Sequence, residues 1–297
     1  MIRCLIQRIS LCAVFLPVPA VAQQAQSPLQ ASLSGMLGKV SVQDVILTGS
    51  ANVVTGASSQ TVPCTFRSTA AGSSRIDLSL SAGTLTDTRM IGSASGAAPT
   101  GTWTNGNGVH QIASHNLMTD SGWFFPALLI QRMISNPALT VVFVGQEGSL
   151  LHYQSYIPTP ANIANATPTT QHLSQTDLYL DATTLLPTQL AFNIHPDSNA
   201  AADIPVLIQY QNYQSVNGVL VPLEVQEYLN NSLLLDAQLQ TAVFNSGLTI
   251  STRAHGRPRR DRNETHCKLA VSSSACLLYG PFGCGPDYRC TWDACIR

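Results

Sequence analysis

The histidines in the central part of the sequence are the first candidates for chemistry. They are His110, His115, His152, His172 and His195. His110 and His115 are five residues apart, and Asp120 follows five residues later. Metal ligands lie two residues apart on a strand and three or four apart on a helix, so this spacing does not bring the three side chains to one face. We therefore predict no metal site and no cofactor, and we interpret His195 as a turn residue together with Pro196.

The sequence also lacks the motifs that mark common nucleophiles and phosphate sites. No G-x-S-x-G, H-E-x-x-H or G-x-x-x-x-G-K segment is present. Cys64 lies in an expected strand without a neighbouring histidine, so we do not interpret it as a nucleophile. Asp177 and Asp181 are separated by an even number of residues and share one strand face, which is typical of exposed polar positions. We predict no catalytic residue and a protein that is not an enzyme.

The N-terminus has the composition of a secretory signal peptide. Arg3 and Arg8 precede the apolar run 9–16, and a small-residue site ends at Ala22. The apolar run is shorter than the roughly 20 residues that span a bilayer. We expect cleavage after Ala22, a periplasmic or secreted protein, and no transmembrane segment after cleavage. The alternative is an N-terminal anchor that is not cleaved.

Residues 23–249 have the length of one large β domain. They carry five Lys and Arg against twelve Asp and Glu, a net charge of −7. No basic patch is present, which argues against a nucleic-acid partner. The oligomeric state is left open.

Residues 250–297 differ sharply from this body. They contain eight Lys and Arg against four Asp and Glu, a net charge of +4, and five cysteines without a C-x-x-C pair. A zinc ribbon is therefore not predicted. We interpret this Arg- and Cys-rich tail as disordered or as the product of a shifted reading frame, beside a third reading as an oxidised module that pairs with Cys64. The disulfide pairing stays open.

Short apolar segments separated by turn residues predict a mainly β body. Asn217-Gly218 is the sharpest turn signal, because both residues tolerate the positive φ angles of a two-residue hairpin. We expect a curved antiparallel sheet of about nine to eleven strands, unclosed as a half-barrel. In the second half of the body the expected strands are 175–181, 188–195, 205–213, 219–229 and 232–245.

Two segments are expected to be helical. Residues 27–36 predict a short N-terminal helix, and residues 122–135 predict a helix capped by Asp120 or Ser121. The second helix is apolar almost all round, so it is expected to be buried on the concave side of the sheet. An apolar ligand between sheet and helix would contact side chains of both. The candidate ligand-binding residues are Trp123, Phe124, Leu128, Leu207 and Tyr210.

Several sequence segments within residues 32–248 resemble those of known exported proteins. They include SRIDLSLSAGTLTDTR, GTWTNGNGVHQIASHN, TDSGWFFPALL, TDLYLDATTLLP and IPVLIQYQNYQSVNGVLVP. The body resembles the outer-membrane lipoprotein carrier (Lol-type) fold, and more closely a group of exported bacterial proteins for which no catalytic residues are defined. The resemblance implies an unclosed half-barrel covered by helices around a hydrophobic cavity. It also implies a lipid or lipoprotein acyl chain as the ligand. The alternative is a cell-envelope scaffold with a filled core and no ligand.

Overall fold

The computed structural model describes residues 20–91, 98–159 and 169–251. The helices are α1 (Ala20–Leu37), α2 (Pro126–Ser135) and α3 (Thr170–Ser174), with a 3-10 helix at Ser114–Leu117. The strands of the first half are β1 (Asp44–Thr55), β2 (Ser58–Thr69), β3 (Ser74–Leu80), β4 (Gly83–Met90), β5 (Thr100–Asn105) and β6 (Gly108–Gln111). Those of the second half are β7 (Thr140–Glu147), β8 (Leu150–Tyr156), β9 (Thr176–Asp181), β10 (Pro187–Ile194), β11 (Ile204–Val216), β12 (Val219–Leu229) and β13 (Ser232–Phe244).

All thirteen of these strands form one antiparallel sheet. Its order is β6-β5-β4-β3-β2-β1-β13-β12-β11-β10-β9-β8-β7, so β6 and β7 are the two unpaired edges. The mainly β, unclosed sheet predicted from the sequence is confirmed. The strand number exceeds the expected nine to eleven, because each apolar segment between turns forms a strand of its own, including the short β5–β6 hairpin.

The sheet is strongly curved. Asn116 bonds to Arg89 on β4 through its backbone carbonyl (3.0 Å) and to the backbone of His195, which follows β10, through its side-chain amide (2.7 and 2.8 Å). Seven strand spacings separate β4 from β10 in the sheet order. In a flat sheet that interval would be about 34 Å at ~4.8 Å per strand. Because one residue bridges both, the sheet curls into a half-barrel with a concave inner face.

Local sequence explains the long hairpins that build the sheet. Asn217 and Gly218 have φ angles of 51° and 84° and join β11 to β12 as a two-residue turn, as predicted. At Gly49 the pairing of β1 with β13 shifts by one residue. A Cβ atom at Gly49 would lie 2.1 Å from the carbonyl oxygen of Gln238, so a glycine is needed for the two backbones to approach this closely.

Helix α1 contains the predicted segment 27–36. Leu29, Leu33 and Met36 are buried on one face at helical spacing. This helix packs against α2 and contacts β12 and β7. Together with α2 it covers the inner face of the sheet, and the apolar residues of both helices and of the strands form one core cluster.

Helix α2 is buried as predicted but begins four residues later than the predicted start at Gly122. Pro126 is its first residue, and Phe125 before it has an extended backbone (φ −132°, ψ 90°). A proline disfavours helical angles in the preceding residue, so the helix cannot extend back to Gly122. Asp120 therefore caps no helix. It accepts a hydrogen bond from the Gly122 N–H at 2.7 Å within a turn.

Two sequence predictions fall largely on residues outside the described part. Of the signal peptide predicted at 1–22, only the last three residues are described, as the backbone of the start of α1. The Arg- and Cys-rich tail is described only for residues 250 and 251. No helix among the described residues is long and apolar enough to cross a membrane.

Candidate functional site

An aromatic cluster fills the concave face beneath the start of α2. The Phe66 ring on β2 lies 5.1 Å from the Phe124 ring and 6.3 Å from the Trp123 ring, measured between centroids. The Tyr210 hydroxyl on β11 donates a hydrogen bond to the backbone carbonyl of Trp123. Burial raises the pKa of Tyr210 well above its usual value, so its hydroxyl keeps its proton and remains a donor. This contact ties the residues just before α2 to the sheet.

The structure brings together four of the five predicted ligand-binding residues. Trp123, Phe124, Leu128 and Tyr210 are each at most 3% exposed and belong to the same core cluster. Leu207 points to the opposite face, because the burial of β11 alternates and Leu207 lies between the buried residues Val206 and Ile208. Residues 207 and 210 are three apart, and in a strand an odd separation places side chains on opposite faces. This signal was present in the sequence.

A group of charged residues is buried within the same half-barrel. Arg89 Nε lies 3.2 Å from Asp87 Oδ1 on β4, and both side chains are at most 6% exposed. Glu227 on β12 is 4% exposed, and its Oε1 atom has no hydrogen-bond partner within the described residues. Burial raises the pKa of Glu227 to about 7. The charge of Asp87 adds to this increase, whereas the charge of Arg89 opposes it. Charged residues of β4 and Glu227 of β12 therefore interact electrostatically inside the half-barrel.

A second polar group lies where β10 turns into β11. His172 Nε2 of α3 is 2.9 Å from Asp203 Oδ1, and His195 Nδ1 is 3.4 Å from the same oxygen. One candidate ligand atom from each of these three residues lies within 4.8 Å of the others. Burial lowers the pKa of His195, although its bond to the Ala202 carbonyl and the charge of Asp203 oppose this. The neutral imidazole, which can bind a metal, is thereby favoured.

The His195 backbone is held firmly in place. The Asn116 side-chain amide donates to its carbonyl at 2.7 Å and accepts from its N–H at 2.8 Å. Asn116 is itself buried and accepts from Arg89 through its backbone carbonyl. The His195 backbone is therefore fixed by Asn116, which bridges the two halves of the sheet.

A pocket of about 140 Å³ lies beside this second polar group. Its polar wall includes His172 and Asp177, and its apolar wall includes Phe192 and Val206. Asp177 also bonds to His152, whose two ring nitrogens lie 2.8 Å from Glu147 Oε1 and 2.8 Å from Asp177 Oδ1. This pocket was not predicted from the sequence, because its wall comes from α3 and from the three strands β9, β10 and β11.

Cys64 is buried in the core of the half-barrel. Its side chain is 3% exposed inside the core. Burial raises the pKa of the thiol to about 11, so the reactive thiolate is disfavoured at neutral pH. Cys64 lies on β2, in a strand as expected from the sequence.

Comparisons with known proteins concern the fold. No family model matches the sequence, and no curated protein matches it. Several solved structures are similar. A domain assigned to outer-membrane lipoprotein sorting from Vibrio parahaemolyticus has 12% identity and a TM-score of 0.48, covering 77% of this chain and 95% of that one.

Two further similar structures come from other bacteria. A DUF1329 family protein from Desulfovibrio piger has 10% identity and a TM-score of 0.48, covering 76% of this chain and 95% of that one. A LolA superfamily protein from Nitrosomonas europaea has 9% identity and a TM-score of 0.42, covering 75% of this chain and 94% of that one.

Proposed function

We propose that this is an exported, non-enzymatic protein that binds an apolar ligand, such as a lipid or lipoprotein acyl chain, between the concave face of the sheet and helices α1 and α2. The observation that carries the proposal is the construction of this face. Its inward side chains are apolar across most of the sheet, and helices rather than a second sheet cover them. Apolar surface enclosed in this way is the environment that an acyl chain requires.

The covering segment, residues 112–139, is attached to the sheet mostly through side chains. Residues 112–139 connect the two edge strands β6 and β7 across the open side of the half-barrel. The described backbone hydrogen bonds of α2 run within this segment, and the segment contacts the sheet there through the Phe124 ring and through the Trp123 carbonyl, which accepts from Tyr210. At the start of the segment, the Ile112 N–H donates to the Gly101 carbonyl on β5. A ligand that replaces side-chain contacts with its own apolar contacts breaks no sheet hydrogen bonds.

One observation favours the alternative of a scaffold with a filled core. Phe124 and Leu128 are 0% exposed, and the Phe66 ring stacks directly on Phe124. An acyl chain enters this space only if these side chains move apart. The two functions therefore differ in whether the interior opens in the presence of a ligand.

Quenching of tryptophan fluorescence by a brominated fatty acid separates the two functions. Bromine quenches only at close range, so binding beneath α2 should quench Trp123. The Trp123→Phe variant should lose this quenching, whereas the Trp103→Phe variant should keep it. Trp103 is a matched control because it stacks on His110 at 4.0 Å and lies outside the core cluster.

Native mass spectrometry of protein purified from its own compartment is the second measurement. A co-purifying lipid supports the binding function. Spectra without any bound lipid, together with equal quenching in both tryptophan variants, would instead identify the protein as a scaffold with a filled core.

A further inference from the structure

The cluster of His172, His195 and Asp203 is formed by the topology of the second half of the sheet. His195 is the first residue after β10, and Asp203 is the last residue before β11. The two strands pair as neighbours, so both ends of their connection meet at the same edge of the hairpin. Helix α3 leads into β9, which pairs with β10 on the other side, and this brings His172 to the same place.

The donor atoms are spaced as a metal site requires. A zinc ion with bonds of about 2.0–2.1 Å and tetrahedral geometry separates its ligand atoms by roughly 3.3 Å. Here His172 Nε2 and His195 Nδ1 lie 2.9 and 3.4 Å from the same oxygen of Asp203. Small adjustments of exposed side chains are therefore enough to surround an ion.

The buried member of the cluster is already fixed in position. The His195 side chain is 1% exposed, and its backbone is held on both sides by the Asn116 amide. Its Nδ1 atom lies near Asp203 and also 3.2 Å from the Ala202 carbonyl oxygen, to which it donates in the metal-free protein. An ion that binds Nδ1 therefore replaces the bond to Ala202 and moves the ring proton to Nε2.

The other two members leave access for an ion from solvent. The side chains of His172 and Asp203 are 40% and 42% exposed, respectively. His172 also lines the pocket of about 140 Å³ that lies beside the cluster. Three protein ligands leave at least one coordination position for water, and that position has access to solvent.

We propose that His172, His195 and Asp203 bind one divalent transition-metal ion of the zinc type, through two imidazole nitrogens and one carboxylate oxygen. Nitrogen donors combined with one carboxylate select such an ion over Mg²⁺ and Ca²⁺, which prefer oxygen ligands throughout. The site lies outside the aromatic cluster beneath α2, so it does not depend on whether an apolar ligand binds there.

Titration of the full chain with Zn²⁺, in competition with a chromogenic chelator, tests the site. The thiols are first alkylated, because residues 252–297 contain five cysteines that would also bind zinc. His172→Ala and Asp203→Asn should each weaken the site by at least roughly tenfold, since each removes a direct ligand. Both positions are half-exposed, so neither change threatens folding. His110→Ala, which removes an imidazole from the β5–β6 hairpin, should bind Zn²⁺ like the unchanged protein.

Substitution with Co²⁺ supplies an independent readout of the ligand set. Nitrogen and oxygen ligands in a tetrahedral site give visible d–d absorption without the near-ultraviolet band of a cobalt–thiolate bond. The unchanged, alkylated protein should show this spectrum, and both site variants should lose it. Equal Zn²⁺ affinity in the unchanged protein and both site variants, or a cobalt spectrum that survives in them, overturns the proposal. Absence of any Zn²⁺ binding by the unchanged protein overturns it as well.

Discussion

Glu227 is a buried acid that should make the protein less stable as the pH rises. Its pKa is raised from 4.5 to about 7 in the folded state, chiefly by burial. Below pH 4.5 the acid is protonated in both folded and unfolded chains, so its ionisation does not change the free energy of unfolding. As the pH rises from 4.5 through 7, the unfolded chain ionises first, and folding loses up to about 3 kcal/mol.

Substituting Glu227 by Gln should remove this pH dependence. In urea unfolding, the unchanged protein should gain more stability between pH 8 and pH 5 than Glu227→Gln does. Glu224→Gln serves as the control, because Glu224 lies on the same strand but is only half-buried. A Glu227→Gln profile parallel to that of the unchanged protein would show that Glu227 is ionised in the folded core.

Asp44 shows the opposite behaviour. Burial would raise its pKa, but hydrogen bonds from the Ser246 hydroxyl and from the N–H groups of Ser246, Leu248 and Gly247 outweigh this and lower it. The ionised form is stabilised by folding. Its contribution is present above the usual value of 3.8 and is lost as the pH falls through the lowered pKa.

The Asp44→Asn variant should be less stable at neutral pH by roughly 1–3 kcal/mol, because an amide oxygen replaces a charged acceptor of several hydrogen bonds. Urea unfolding at pH 7 measures this loss. Asp236→Asn on β13 is the control and should change stability little, because Asp236 is not buried. If the stability difference between Asp44→Asn and the unchanged protein were as large at pH 2 as at pH 7, the charge of Asp44 would not be its source.

The burial of helix α2 against the sheet can be tested by placing a charge on its buried side. Leu128 is 0% exposed beneath the covering segment. Leu128→Asp should lower the free energy of unfolding by several kcal/mol, because it buries an unpaired charge. Thermal unfolding followed by circular dichroism measures the loss. Gln131→Asp places the same charge at a half-buried position of the same helix and should cost much less. Equal losses in the two variants would contradict the burial of α2 against the sheet.

The strands were predictable from the sequence because their signals are local. Alternating burial and turn residues such as Asn217 and Gly218 fix where each strand begins and ends, and the structure follows them closely. The start of α2 was not predicted correctly, because the effect of Pro126 on the preceding residue outweighed the capping signal at Asp120.

The polar groups were not predictable in the same way. His172, His195 and Asp203 are separated by 23 and 8 residues, a spacing that fits no helical or strand ligand pair. Asp87 and Glu227 lie on strands that are five positions apart in the sheet order. Curvature of the whole sheet brings Asp87 and Glu227 together, whereas the pairing of β9, β10 and β11 brings the other three together. Neither leaves a periodic signal in one sequence. The apolar residues beneath α2 were easier to predict, because the helix that covers them is apolar in its own sequence.

At the scale of the whole molecule, the start and the end of the body lie side by side in the sheet. The first and last strands of the body, β1 and β13, pair at the middle of the sheet rather than at its edges. The segment after β13 is fastened back to Asp44 by four hydrogen bonds from residues 246–248. We propose that residues 23–249 form one domain, since the two ends of the body close on each other within it.

Removal of residues 252–297 should therefore leave the thermal transition of the half-barrel within about 2 °C, which corresponds to less than about 1 kcal/mol for a body of this size. Truncation after Ser251 keeps Ile250, which is 9% exposed. Differential scanning calorimetry of the full and truncated chains measures the difference. A fall of roughly 10 °C would show that the tail stabilises the body.

Alkylation mapping of the exported protein gives a second measurement. Because Cys64 is 3% exposed, we expect no disulfide between it and a tail cysteine. Finding such a disulfide would contradict the independence of the half-barrel from the tail.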